Sequence, residues 1–145
     1  MAIQSQHKVD LLKDEFVFLQ SQVDKFDKLS ANIKTWVVTL WAASIGWAIQ
    51  IDQAKLLLVS IAVIILFWFY DAMNKNYRQN YSDRLHAVGR YLQHYFKTGE
   101  VKESVVSPKF PTHHWLGIFR RGLSLHIALP YLVLVFLSLV LIVGI

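Results

Sequence analysis

Two uncharged apolar stretches separated by a very short break constrain this chain more than any other feature. Residues 35–51 are TWVVTLWAASIGWAIQI, and residues 56–70 are LLLVSIAVIILFWFY. Asp52 and Lys55 supply the only charges between them. Apolar runs this close together predict two helices that cross a membrane and are joined by a tight turn at 51–55. A third apolar stretch, residues 122–145, predicts a third span.

The composition fits a membrane unit with a soluble helical extension. The chain is 54% apolar and 17% charged, with a mean hydropathy of +0.36. This is too apolar for an ordinary soluble domain and too charged for a bundle of spans alone. Both spans of the hairpin are shorter than the usual length of about 20 residues. We therefore expect Lys55 to extend outward and Asp71 to lie among the inner headgroups.

A heptad pattern precedes the first span. Alternating steps of three and four residues are typical of a helix packed along another helix. The positions are Val9, Leu12, Phe16, Leu19, Val23, Phe26, Ser30 and Ile33, and the same spacing continues through Val37, Leu40, Ser44, Trp47 and Ile51. No Gly or Pro interrupts residues 7–45. The pattern predicts one helix over about 7–51.

The chain after the second span carries a matching face. Its members are Tyr77, Tyr81, Leu85, Val88, Leu92 and Tyr95. Phe16 and Val88 lie at equal sequence distances from Asp52, and so do Leu19 and Leu85. A fold-back at Asp52, the turn already indicated by hydropathy, would bring each pair together. The pattern predicts a long antiparallel hairpin whose outer half is a stalk.

The predicted fold is an all-α integral membrane protein: a long antiparallel helical hairpin of two spans plus a cytoplasmic stalk, followed by a third transmembrane helix. Thr98-Gly99 and the prolines Pro108 and Pro111 indicate the one long loop. The predicted segments are stalk helix 1–34, transmembrane hairpin 35–71, stalk helix 72–97, loop and interfacial helix 98–121, and third transmembrane helix 122–145.

The charges predict an orientation. If the N-terminus is cytoplasmic, Lys55 is the only one of the 15 Lys and Arg residues that lies outside. This is the asymmetry that the positive-inside rule requires. We expect a bacterial inner membrane protein with its N-terminus inside and its C-terminus outside. The bilayer accounts for the net charge of +5. Nucleic acid is not an expected partner, because all acidic residues except Asp52 lie on the same side as the cations.

One side of the first span is small and polar. Thr35, Thr39, Ala43, Gly46 and Gln50 fall within about 100° of each other on a helical wheel, together with Ala42. Two interpretations remain open. The face lines a water-filled path in an oligomer, or it packs closely on another helix, since Ala42 and Gly46 form a small-xxx-small pair. Three spans do not enclose a pore alone, so the first interpretation requires a homo-oligomer.

Two further sets of residues are candidate functional positions. His86, Arg90 and His94 recur every four residues on the stalk. They predict either a face that binds a partner, an anionic ligand or a metal, or a solvated charged face. His126 and Pro130 lie near the start of the third span. Since Pro130 has no N–H to donate to the His126 carbonyl, this position predicts a kink or hinge.

No residue set predicts catalysis. The chain lacks cysteine, and we find no Ser/His/Asp arrangement, no phosphate-binding Gly-rich loop and no complete set of metal ligands. We therefore expect a non-enzymatic protein without a cofactor or a bound metal.

Residues 25–97 resemble a known class of membrane proteins. The helix ending DKLSANIK, two short spans with a minimal turn, and the helix YRQNYSDRLHAVGRYL resemble the SLATT-like and other two-span membrane effectors of bacterial conflict and anti-phage systems. The resemblance implies an oligomeric effector that perturbs the inner membrane when a cytoplasmic partner signals infection.

These observations lead to two functional hypotheses. The first is an oligomeric inner-membrane protein that forms or gates a pore, with the stalk sensing a cytoplasmic protein. The alternative is an accessory subunit that anchors a soluble partner through its stalk and conducts nothing.

Overall fold

The computed structural model describes residues 2–100, 118 and 122–144, and within these ranges every regular element is helical. Helix α1 is Ala2–Gln50, α2 is Lys55–Thr98 and α3 is Leu125–Gly144. The all-α prediction is confirmed, and α1 begins five residues before its predicted start. The loop after Gly99 and the predicted interfacial helix lie outside the described residues, apart from Ile118, which is helical and buried.

The turn between α1 and α2 lies where hydropathy and the fold-back pattern predicted it. Asp52 has a φ of 53°. The Gln53 N–H donates to the Ala48 carbonyl, and the Asp52 N–H donates to the Ile49 carbonyl. These bonds form a Schellman motif, in which the residue after the helix is left-handed and two orphan carbonyls are satisfied. Aspartate is one of the few residues other than glycine that adopt this conformation.

The chain divides into two compact units. The stalk unit comprises residues 1–27 and 77–113, and the span unit comprises residues 28–76 and 114–145. Both long helices contribute to both units. Each unit is described by itself below.

In the stalk unit, the predicted heptad seam is confirmed, except that Tyr77 of the matching face on α2 is exposed. The apolar side chains of α1 and α2 form one cluster, with Leu19 and Val88 almost wholly buried. The cluster comprises Val9, Leu12, Leu19, Val88, Tyr91 and Leu92, with Phe16, Tyr81, Leu85 and Tyr95 packed against it. A Cβ atom placed on Gly89 would lie 3.2 Å from the Phe16 ring. The absence of a side chain at Gly89 therefore lets this ring lie close to α2.

Two ion pairs flank the stalk seam. Arg84 binds Glu15 with two hydrogen bonds, Nε–Oε1 at 2.7 Å and Nη2–Oε2 at 3.0 Å. The Arg78 Nε donates to the Asp27 Oδ1 at 2.7 Å. The Arg84 side chain is only 10% exposed, so the first pair is shielded from water more than a typical surface pair. Both pairs are consistent with the predicted fold-back.

In the span unit, all three helices meet. Its apolar cluster joins Val37 of α1, Ile64 of α2, and Tyr131 and Leu134 of α3. Trp41, Phe67, Trp68 and Val135 pack against these side chains. Helix α3 therefore packs on both helices of the hairpin.

The inward face of residues 35–51 differs from the predicted seam. Leu40 and Trp47 are 47% and 59% exposed, and Ile51 is also exposed. Val37, a predicted seam position, is buried as expected, and so is Ala48, which the predicted seam did not include. A straight α-helix has 3.6 residues per turn, so its contact face rotates away from a 3.5-residue heptad by about 20° per heptad. The steps of four from Ile33 to Val37 and Trp41 follow this rotation.

Two of the three helices are long and apolar enough to cross a membrane on length and composition alone. They are α2 and α3, with mean hydropathies of 2.3 and 2.7 in their most apolar windows. Helix α1 does not meet the same criterion. Its apolar segment contains three tryptophans together with Thr, Ser and Gln residues. That the three apolar segments cross a membrane stays a prediction, and the first of them does not meet this criterion.

Candidate functional site: a buried carboxylate shared by three helices

The Asp71 carboxylate is the most unusual group in the span unit. Asp71 lies on α2 and is 0% exposed. The Ser30 hydroxyl of α1 donates to its Oδ1 at 2.6 Å. The Tyr131 hydroxyl of α3 donates to its Oδ2 at 3.1 Å. We call these three residues the Asp71 node, because they link all three helices through one carboxyl group.

The local sequence explains how each member reaches the node. Ser30 occupies a position of the α1 seam that would otherwise be apolar, and it is 2% exposed. Asp71 directly follows the apolar stretch that ends at Tyr70, and Tyr131 follows Pro130 near the start of α3. A buried carboxylate is costly unless its oxygens accept hydrogen bonds. Here a hydroxyl donor serves each oxygen, so the node stabilises the helix contacts only while all three helices stay in place.

This burial corrects the expectation that Asp71 lies among the headgroups. The side chain is enclosed by the protein because α3 covers the side of α2 on which it lies. The sequence analysis did not predict the node, because it did not predict which face of α3 packs on the hairpin or which residues that face contacts. A signal for half of it existed, since Ser30 lies on the predicted seam and its fold-back partner, Asn74, is less than one helical turn from Asp71.

Two tryptophan side chains form further hydrogen bonds, one to the segment just before α3 and one to α3 itself. The Trp68 Nε1 of α2 donates to the Gly122 carbonyl at 2.9 Å. The Trp41 Nε1 of α1 donates to the Ser138 hydroxyl at 2.9 Å. Along α3, Tyr131 shares the Asp71 carboxylate with Ser30, and Ser138, closer to the C-terminus, accepts from Trp41. Because Trp41 lies further along α1 than Ser30, α3 runs parallel to α1 and antiparallel to α2.

Close packing accompanies these bonds at the start of α3. A Cβ atom on Gly122 would lie 3.1 Å from the Ala72 Cβ and 3.2 Å from the Trp68 ring. These distances are tighter than ordinary van der Waals contact, so the approach of the chain to α2 depends on glycine at this position.

The small polar face of α1 lies on the outside of the single chain. Thr35, Thr39, Ala43, Gly46 and Gln50 are all exposed. The threonine hydroxyls donate to carbonyls of their own helix, Thr35 to Ala31 and Thr39 to Thr35. A Cβ atom on Gly46 would meet nothing within 4 Å. The face is therefore exposed in the single chain, and its surroundings in an assembly decide between the two interpretations.

The predicted partner face on α2 is only partly exposed. His86 and Arg90 are exposed, whereas His94 is half-buried. The His94 Nε2 is buried and has no hydrogen-bond partner within the part of the chain that the structure describes. No group of three or more metal-ligating side chains forms among the described residues.

The predicted hinge lies inside a continuous helix. Helix α3 extends through Pro130, and His126 is exposed on its first turn. The unbonded carbonyl that Pro130 imposes on His126 lies one turn before Tyr131 of the node. Whether α3 bends at this position stays a prediction.

Comparison with protein-family models, with curated proteins and with solved structures finds no match to this chain.

Proposed function

We propose that this chain is an oligomeric protein of the bacterial inner membrane that forms or gates a pore on a cytoplasmic signal. Its N-terminus and stalk lie in the cytoplasm, and its C-terminus lies outside. The observation that carries the proposal is the uncovered polar face of α1. The chain's own helices leave Thr39, Gly46 and Gln50 exposed, although they bury other α1 side chains at the same depth, such as Val37 and Ala48.

The contrast with the other two helices supports this assignment. The outward side chains of α2 and α3 are large and apolar, as lipid contact requires. They include Leu58, Val59, Leu66, Leu132, Phe136 and Leu139. A face of Thr, Ala, Gly and Gln gains little from contact with lipid, so it meets water or another helix. If several copies assemble with their α1 helices toward a common axis, this face contacts both water and the α1 helices of neighbouring copies.

In this proposal the stalk binds the cytoplasmic partner that signals to the pore. His86 and Arg90 present a positively chargeable surface on α2, which suits an acidic partner protein. The resemblance to SLATT-like membrane effectors supports a role in anti-phage defence, in which the partner reports infection.

Ion flux into liposomes containing the purified protein tests the proposal. We expect flux from the wild-type protein, with its partner present where the signal is required. Gly46→Leu should abolish the flux because it fills a narrow path. Val133→Leu, at an exposed apolar position of α3, is the matched control and should leave flux unchanged.

The state of assembly must be measured on the same samples. Loss of flux in Gly46→Leu with the oligomer intact supports a pore, whereas loss of the oligomer supports close packing at this face. A wild-type protein that passes no ions even with its partner contradicts the pore.

A second candidate function is a membrane anchor that recruits a soluble partner and conducts nothing. Its supporting observation is that three large apolar side chains of the stalk unit are exposed, Leu11, Val17 and Phe18. Large apolar side chains in water favour contact with another protein. Replacing Phe18 by Ser should then release the partner without any effect on liposome permeability.

A further inference from the structure

An apolar crevice separates α2 from α3 within the span unit. It has a volume of about 370 Å³, within the range of small-molecule pockets. Its floor is formed by Ile64, Ala128 and Tyr131, which are buried, and its rim by Ile65, Leu123 and Leu132, which are exposed. Trp68 and Val135 complete the lining. The crevice is therefore open on one side and deep enough to cover a ligand on the other.

The lining offers hydrocarbon and aromatic surface with no spare polar side-chain group. Only Trp68 and Tyr131 among the lining residues carry polar side-chain atoms. The Trp68 N–H already binds the Gly122 carbonyl, and the Tyr131 hydroxyl already binds Asp71. A polar or charged ligand would lose its hydration in this crevice and gain no compensating hydrogen bond. The chemistry of the lining therefore selects a purely apolar occupant.

We infer that the crevice binds one acyl chain of a bilayer phospholipid. The inference depends on the membrane location proposed above, since all its lining residues except Leu123 belong to α2 or α3, the two helices apolar enough to cross a membrane. The exposed rim opens toward the side on which lipid would lie. Hydrocarbon chains are also the most abundant apolar ligand in that environment.

The size of the crevice favours a chain over a helix. Its volume of about 370 Å³ has room for a run of methylene groups. An α-helix of a second copy is roughly 10 Å across with its side chains, and it would rest on the rim without reaching the floor. A bound acyl chain would touch the Tyr131 ring, whose hydroxyl holds Asp71, and so would support the packing of α3.

Photolabelling from the acyl chain tests this inference on the full-length protein. The protein is placed in phosphatidylcholine vesicles that include a phosphatidylcholine with a diazirine in the middle of one acyl chain. After irradiation, mass spectrometry assigns adducts to residues. We expect adducts on the buried floor residues Ile64 and Tyr131 as well as on Leu139 and Val140, which are exposed on α3. Floor residues are reached only from inside the crevice.

Two variants sharpen the result. Ala128→Leu fills the floor and should reduce adducts at Ile64 and Tyr131 severalfold while leaving those at Leu139. Val140→Leu, outside the crevice, should change neither. Leu132→Phe narrows the entrance from the rim, at a position where a larger side chain leaves the core packing intact, and should act like Ala128→Leu.

The outcomes separate this inference from the proposed function. Adducts on Leu139 and Val140 without any on the floor overturn the acyl-chain site and leave the membrane location standing. The absence of adducts from all of α3 contradicts the membrane location itself. Floor adducts that persist unchanged in both filling variants also overturn the site.

Discussion

The stalk unit and the span unit hold their helices together by different means. In the stalk unit, a continuous apolar seam lies between two charged surfaces, and ion pairs such as Arg84 with Glu15 flank it. In the span unit, hydrogen bonds from Ser30, Trp41 and Tyr131 connect the helices, and the outward side chains of α2 and α3 are large and apolar. Buried polar side chains thus connect the helices of the span unit, whereas ion pairs lie beside the apolar seam of the stalk unit.

The difference follows from what each unit gains by packing. Burying apolar side chains out of water stabilises the stalk seam at about 25 cal/mol per Å². Helices in lipid gain no such term from contact, because lipid tails are as apolar as leucine, and shape and hydrogen bonds decide which faces meet. If the span unit lies in lipid, the Asp71 node and the tryptophan bonds determine its packing. The predictions below test this division of roles.

The largest effect is expected from a charge in the stalk seam. Phe16→Asp replaces a ring packed against α2 by an unpaired carboxylate, and we expect a loss of about 3–5 kcal/mol in the free energy of unfolding of the stalk. Phe18→Asp, two residues further on at an exposed position, should change it by less than about 0.5 kcal/mol. Urea denaturation followed by circular dichroism measures both. Equal losses would show that the seam is misplaced.

The Asp71 node should contribute the next largest effect. Asp71→Leu leaves the Ser30 and Tyr131 hydroxyls buried without their acceptor, and we expect a loss of about 2–4 kcal/mol. Asp71→Asn keeps one acceptor oxygen and should lose less. Thermal denaturation in micelles ranks the three proteins. A leucine variant as stable as the wild type would mean that apolar packing alone holds α3.

The Arg84–Glu15 pair tests whether the charged flanks of the stalk add stability. Arg84→Met removes two hydrogen bonds and leaves Glu15 partly shielded without its partner, for a loss of about 1–2 kcal/mol. The exposed pair Lys13–Asp10 provides the control, and Lys13→Met should lose less than about 0.5 kcal/mol. A double-mutant cycle with Glu15→Gln isolates the interaction. A coupling energy of zero would show that the Arg84–Glu15 pair does not stabilise the stalk.

The smallest loss of stability is expected from the hydrogen bond between Trp41 and Ser138 in the span unit. Trp41→Phe removes one hydrogen bond, but Ser138 still donates to the Leu134 carbonyl. We expect a loss of about 1 kcal/mol. Trp47→Phe alters an exposed ring and should have no effect on thermal denaturation in micelles. A larger loss at Trp47 would indicate that this ring is covered in the assembly.

The same contrast explains what the sequence predicts. In the stalk, polar and apolar residues alternate with a clear period, so periodicity alone assigns Leu19 and Val88 to one seam. The turn at Asp52 follows from two independent patterns, hydropathy and the fold-back of the apolar faces. Residues 122–145 are apolar on nearly every side, so periodicity does not select the buried face there. In residues 35–51 the heptad spacing selects Leu40 and Trp47, which are exposed.

The remaining features depend on contacts between distant segments. Nothing in the spacing of α3 indicates that Tyr131 meets Asp71, which is 60 positions earlier in the chain. The tryptophan bonds require the same information. The local residue pattern predicts the helices and the hairpin. The rotation of α3 about its own axis is determined by tertiary packing. The small face of α1 is evident from residue spacing, but a single chain does not show what this face contacts in an assembly.

The central claim is that the span unit crosses a membrane while the stalk lies in the cytoplasm. The chain has no cysteine, so single cysteines at Gln53, Gln22 and Val143 report on the turn, the stalk and the C-terminal end of α3. An impermeant thiol reagent applied to intact spheroplasts should label the turn and the end of α3, and should label Gln22→Cys only after the membrane is broken. Labelling of Gln22→Cys in intact spheroplasts, with none at Gln53→Cys, would contradict the account.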